Sequence, residues 1–211
     1  MNAHRSLLSF VAFLTLLINA SFVSADVTID YGVEESGIRY IDLLADTPDQ
    51  VVLLFGIGIA SDGGADGFEL DVQIGDGGDA LGGTDAFPTI TDINLINGTI
   101  WESFSPNQAD VVVNPLARQS TVDTASLVAA DGLIGTLVID TTGMQSGEIN
   151  FLLSGVAGSF NSNLSQGTNV LTTIAPNGII RIVAVPEPTS FVAGMFGLIG
   201  LALRRRRHSV E

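Results

Sequence analysis

The 211-residue chain has no cysteine and no lysine, and its only histidines are His4 and His208. Without cysteine there is no disulfide framework and no thiolate chemistry, and a chain of this length can build a core without either. Between His4 and His208 the Ser-His, Cys-His and Ser-Lys nucleophile arrangements are therefore unavailable. Zinc or copper sites ligated by His or Cys are excluded on the same ground. A carboxylate pair of the glycoside-hydrolase kind remains open, but the acids are too many for the sequence to mark one pair. Aromatic platforms are scarce as well: Trp101, Tyr31 and Tyr40 complete the list of Trp and Tyr. Residues 26–184 hold three basic side chains, Arg39, Arg118 and Arg181, against 21 acids, so 3 − 21 leaves a net charge of −18. Such a segment repels nucleic acid and anionic surfaces, which excludes a nucleic-acid partner. Divalent cations, neutral sugars and basic partners stay compatible with it.

The two ends are of a different character. The N-terminus reads MNAHRSLLSFVAFLTLLINASFVSA, with His4 and Arg5 ahead of an apolar run from Leu7 to Ile18. Val23 and Ala25 sit where signal peptidase reads small residues. This predicts a secretory signal peptide over residues 1–25, cut between Ala25 and Asp26. Near the C-terminus, Thr189 to Leu203 carries no charge. As a helix this run would span about 22 Å, short of the ~30 Å bilayer core, so it predicts a marginal transmembrane helix over 189–203. Gly194, Gly197 and Gly200 are spaced to let helices approach closely in lipid. Arg204, Arg205, Arg206 and Arg207 supply the cytoplasmic anchor charges. Pro186 and Pro188 keep the preceding chain extended.

Val185-Pro186-Glu187-Pro188, a short apolar run and an arginine cluster, in this order, resemble a PEP-CTERM sorting signal over residues 185–211. The resemblance implies a bacterial, exopolysaccharide-producing host whose exosortase recognises Pro186-Glu187-Pro188. The protein would be held briefly in the inner membrane, then released to the cell surface or extracellular matrix.

Residues 26–184 read as one domain. Gly, Asn, Asp and Pro punctuate it at short intervals, and the pieces between are β-branched or alternating. The strands expected are 27–31, 38–44, 50–59, 68–74, 90–101, 109–113, 133–140, 148–153 and 179–183. In FELDVQI, Phe68, Leu70, Val72 and Ile74 point one way and Glu69, Asp71 and Gln73 the other, as in a half-buried strand. No apolar stripe of helical period occurs here, so the fold class is all-β, a single β-sandwich or jelly roll. The series TPDQVVLLFGIGI, GADGFELDVQIGDG, ITDINLINGTIW, GLIGTLVIDTTGMQSGEINFLLSG and NGIIRIV resembles the cohesin-like β-sandwich, related to carbohydrate-binding modules. A Gly/Asp-rich insertion at 76–85 departs from that pattern, so dockerin binding is not implied.

That insertion belongs to the most acidic stretch of the chain. Oxygen ligands on Gly-rich turns suit calcium, and Asp62, Asp66, Asp76, Asp79 and Asp85 are the candidate ligands. The same residue types also build turns, Gly by its positive φ and Asp by Asx hydrogen bonds. The spacing is not that of an EF-hand, since Gln73 stands where its closing glutamate would be. Trp101 is a candidate sugar platform or, alternatively, a core anchor. The expectation is a non-enzymatic exported protein with a structural or adhesive role, processed by signal peptidase and exosortase. The alternative is a carbohydrate-binding module contacting exopolysaccharide.

Overall fold

The computed structural model describes residues 26–155 and 161–184. The expected signal peptide, the Val185–Pro188 motif, the helix at 189–203 and the arginines at 204–207 lie outside the described residues. Fourteen strands form from the described chain. They are β1 (Val27–Asp30), β2 (Val33–Glu35), β3 (Ile38–Leu44), β4 (Gln50–Ile57), β5 (Ala65–Ile74), β6 (Thr89–Asn94) and β7 (Asn107–Asn114). Then follow β8 (Ala117–Val128), β9 (Gly132–Asp140), β10 (Gly147–Leu152), β11 (Asn163–Gln166), β12 (Asn169–Val170), β13 (Thr173–Ile174) and β14 (Gly178–Val183). Two single-turn 3-10 helices, Asp79–Leu81 and Glu102–Phe104, are the only helical elements among the described residues.

The strands make two sheets. The smaller has the order β13-β1-β4-β9-β6. The larger runs β12-β11-β5-β10-β14-β3-β2, with β8 also paired to β5 and β7 paired to β8. β14 lies parallel to β3, and β1 parallel to β13, while the remaining pairs are antiparallel. Period-two alternation aims one side of each sheet at the other. Val52, Leu54, Leu137 and Ile139 from the smaller sheet meet Phe68, Leu70, Val72 and Ile180 from the larger in one continuous core.

Tyr31 and Phe151 meet edge-to-face inside this core, with ring centroids 5.2 Å apart. The Tyr31 hydroxyl is satisfied by the carbonyl of Pro176 at 2.7 Å. Burial raises its pKa, against a smaller opposing effect of Arg39. At neutral pH it is a neutral hydrogen-bond donor.

Four expectations change. The span read as one strand from Ile90 to Trp101 stops at Asn94, whose side-chain oxygen accepts the N–H groups of Ile96 and Asn97 and bends the chain into a turn. β8, twelve residues long, was not expected at all. β2, β11, β12 and β13 were likewise unexpected. FELDVQI is not half-buried, because Asp71 and Gln73, on the side away from the core, are only 2% and 5% exposed. Their strand is the inner one of its sheet, with β8 along one side and β11 and then β10 along the other.

Candidate functional site

Trp101 is fully buried, and its indole N–H donates to the carbonyl of Ile134 at 3.0 Å. That corrects its candidacy as a sugar platform: no face of the ring is open to a ligand, and its one polar atom is already satisfied.

The five candidate aspartates are not gathered into one site. Asp66 stands at the start of β5, and its two oxygens accept the Gly167 N–H at 2.9 and 2.8 Å, tying the β11–β12 turn to the sheet. Asp62 lies in the turn before β5, with its N–H on the Gly58 carbonyl. Asp76 and Asp85 lie beyond the other end of β5, which at ten residues holds the two groups about 30 Å apart. Asp79, exposed, opens the 3-10 turn of the same loop.

Asp76 organises the loop from 76 to 85. Its carboxylate accepts N–H groups from Thr84 at 2.6 Å, Gly78 at 3.0 Å and Asp85 at 3.1 Å. These bonds to the charged form, that from Thr84 first, pull its pKa from 3.8 down to about 2. The Asp85 carboxylate in turn accepts the Asp76 N–H at 2.9 Å. Gly75 begins the loop at φ +58, and a Cβ there would run into the Asp85 carboxylate, so glycine is required. Lone pairs that calcium would need are thus occupied by backbone donors. Among the described residues no group of three or more His, Cys, Asp or Glu is placed to hold a metal ion.

Among the described residues, two concave features lie on the outer side of the larger sheet. A cleft of about 550 Å³ is lined by the Asp76–Asp85 loop together with Glu148, Asn150 and Ile179. A groove of about 280 Å³ runs between β8 and the β11–β12 hairpin, lined by Glu69, Asp123, Asn163, Ser165 and Asn169 among others. Glu69 is held there by Gln119 at 2.6 Å and Asn163 at 3.3 Å.

Next to it, Asp71 carries a carboxyl whose pKa is raised rather than lowered. Burial first, then the neighbouring Glu69 charge, push its pKa from 3.8 up to about 6, against a hydrogen bond from Gln119. One of its oxygens has no hydrogen-bond partner. A buried carboxyl beside a second carboxylate is the arrangement an acid catalyst would need. Asp71 lines neither of these cavities and is only 2% exposed.

Two arginines close the far side of the same sheet. Arg181 binds Glu35 through both terminal nitrogens at 2.9 Å and Asp42 at 2.6 and 3.0 Å, and lies 4.1 Å over the Tyr40 ring. These partners raise its already high pKa, the Glu35 bonds first. Arg39 pairs with Asp30 and Glu34 and donates to the Tyr31 carbonyl. These residues were not singled out from sequence; a cation in so acidic a domain was the available signal.

Comparison with known proteins agrees with this geometry. Residues 184–207 match the PEP-CTERM protein-sorting motif. No curated protein matches the chain. The seventh ScaB type I cohesin of Pseudobacteroides cellulosolvens superposes with a TM-score of 0.52 at 10% identity, covering 77% of this chain and 96% of that one. The Coh-OlpC-Doc435 complex, a type I cohesin–dockerin complex from Clostridium thermocellum, gives 0.51 at 12% identity, over 76% and 94%. The Coh-OlpA-Doc918 complex from the same organism gives 0.51 at 14%, over 75% and 100%. The identities are low, while about three quarters of this chain and nearly all of each of those chains are covered, so the likeness is one of fold.

Proposed function

We propose that this chain, a cohesin-like β-sandwich carrying a PEP-CTERM sorting motif, is a non-catalytic structural or adhesive component of the cell surface or extracellular matrix. One observation carries the reading. The sorting motif begins at residue 184, one position after β14 closes the sandwich at Val183, so domain and address meet with no spacer. The last strand therefore closes before the motif begins, and Val185–Pro188, where an exosortase would cut, follows it directly. The fold is shared with cohesin–dockerin complexes, which is what favours a binding role. Intact-mass measurement of the protein recovered from exporting cells tests the reading. A mature chain that begins at Asp26 and ends near Pro188 supports it, whereas one that still ends at Glu211 overturns the processing step.

A second reading, contact with exopolysaccharide, is favoured by the 280 Å³ groove. Its carboxylates, amides and hydroxyl are groups that hydrogen-bond sugar hydroxyls, although no Trp or Tyr lines it for stacking. Binding on a glycan array that disappears with Asn163→Ala would support this reading, and an empty array would remove it.

A further inference from the structure

The face of the sandwich that no site uses is the outer side of the smaller sheet. On β4, the middle strand of five, the outward side chains are Val51, Leu53, Phe55 and Ile57, exposed by 58, 44, 39 and 49%. Val138 on β9 stands opposite Val51, and Ile174 on β13 adds another exposed apolar group at the far edge. Four consecutive outward positions of a central strand left apolar are not the scattered exposed hydrophobics of an ordinary surface. We propose that this face is a homodimer interface, on which a second copy of the chain packs sheet against sheet about a two-fold axis through β4.

The occupant follows from charge and area. In a domain of net charge −18, the central strip of this sheet carries no charged side chain. Asp92 on β6 and Asp140 at the end of β9 stand at one rim; Asp30, opposite Phe55, is paired with Arg39. An apolar centre with polar groups pushed outward is the layout of a protein interface. Two such acidic copies can also meet across this strip without opposing carboxylates directly. A basic partner would be drawn to the rest of the surface instead. A lipid surface is a poor match, because the strip has no Trp, Tyr, Lys or Arg and the domain is repelled by anionic headgroups.

The middle position of β4 matters too. A two-fold axis there makes the contact self-complementary and closed, so it ends at a dimer. The five strands are of unequal length, and at about 3.4 by 4.8 Å per residue they offer roughly 470 Å² per copy. The pair would then bury about 950 Å², the size of a weak, concentration-dependent dimer rather than a permanent one. The inference does not rest on the sorting motif or on the structural role proposed above.

Sedimentation of the processed protein recovered from exporting cells tests it. A dimer is expected, and it should tighten with salt, because the rest of each copy repels the other and salt screens that repulsion. Leu53→Asp should weaken association by about 30-fold or more, since the charge enters a central contact twice. The natural chain has no cysteine. Leu53→Cys therefore supplies a single thiol near the axis, and a short bis-maleimide should link two copies through it. Asn150→Cys, on the outer side of the other sheet, should not cross-link. A monomer at every concentration and salt overturns the proposal, as does a dimer unchanged by a folded Leu53→Asp variant. If the thiol of the Leu53→Cys variant is shielded in a monomeric unprocessed chain and reactive after processing, the face belongs to the chain's own tail, which also overturns the proposal.

Discussion

The two outer faces of the sandwich arise from the same alternation and differ in nearly every physical respect. On the smaller sheet, β4 turns Val51, Leu53, Phe55 and Ile57 outward and leaves them exposed. On the larger sheet, β5 turns Glu69, Asp71 and Gln73 outward, and two of these are more buried than the apolar residues on the opposite face. There Glu69 is held by Gln119 and Asn163, Asp66 by the Gly167 N–H, and Arg181 by Glu35 and Asp42. Negative charge is therefore not spread evenly over the domain. On the larger sheet it is held by backbone N–H groups, amides and Arg181, while the central strip of the opposite face is left without charge. Net charge describes a chain; the distribution decides what each face can meet.

The largest expected effect lies between the faces. Trp101→Ala removes a fully buried ring and leaves the Ile134 carbonyl without its indole donor. We expect a loss of about 3–5 kcal/mol, read as a lower midpoint in chemical denaturation. Both faces would weaken together, since the core is shared. A loss under about 1 kcal/mol would mean that the ring is not the core anchor described here.

Asp71→Asn probes the polar face alone. Folding raises the Asp71 pKa to about 6, so between about pH 4 and pH 6 the folded chain binds more protons than the unfolded one. Its contribution to stability is therefore most favourable below pH 4, falls through that window, and stays unfavourable above it. The asparagine variant lacks the ionisation and should be more stable than wild type at pH 7 by roughly 2–3 kcal/mol. At pH 4 the two should be nearly equal. Melting temperatures measured across that pH range check the sign, and a variant less stable at pH 7 would refute the assignment.

Arg181→Met sharpens the contrast further. It keeps the aliphatic stem over Tyr40 and removes the bonds to Glu35 and Asp42, which lie on β2 and β3. The partners are half exposed and well hydrated, so the melting temperature should fall by less than it moves in either variant above. That fall should shrink in high salt. On the opposite face, Leu53→Thr should change the stability of the monomer by no more than about 0.5 kcal/mol, because Leu53 touches solvent rather than core. Any larger effect on the assembled protein would then report the dimer.

How far these faces were legible in the sequence depended on the alternation. β3 was read from Ile38 to Leu44 as it stands, and the inward set of β5 was read correctly, because apolar residues recur there at every second position. β8 was missed because ARQSTVDTASLV is polar on both sides, and its core-facing Ser120 is buried only by virtue of the fold. The Asn94 turn had its signal in Asn-Leu-Ile-Asn-Gly, which the apolar run around it obscured. The exposed face of β4 was hidden for a different reason. VVLLFGI is a continuous apolar run, and such a run reads as buried on both sides. Nothing local to it tells which side lacks a cover. Trp101 and the acidic loops were noticed for their residue types, but only tertiary packing separates a core ring from a platform, or a capped carboxylate from a ligand.

The smallest expected effect concerns that last distinction. Asp76 spends its lone pairs on the N–H groups of Thr84, Gly78 and Asp85, and its pKa falls to about 2 because those bonds favour the ionised form. A calcium ion would have to displace these donors, leaving N–H groups of the loop without partners. Calcium at millimolar concentration should therefore leave the melting temperature unchanged, since only a ligand bound to the native state raises it. The same bonds give the loop an acid limit of the opposite sign to that of Asp71. The stabilisation from Asp76 is present above about pH 4 and is lost as the pH falls through 2. Asp76→Asn should remove that acid-sensitive contribution while leaving the pH 4–6 slope of Asp71 in place, so the two carboxylates of the polar side can be separated by pH alone. A calcium-dependent rise in melting temperature, abolished by Asp76→Asn, would instead restore the loop as a cation site.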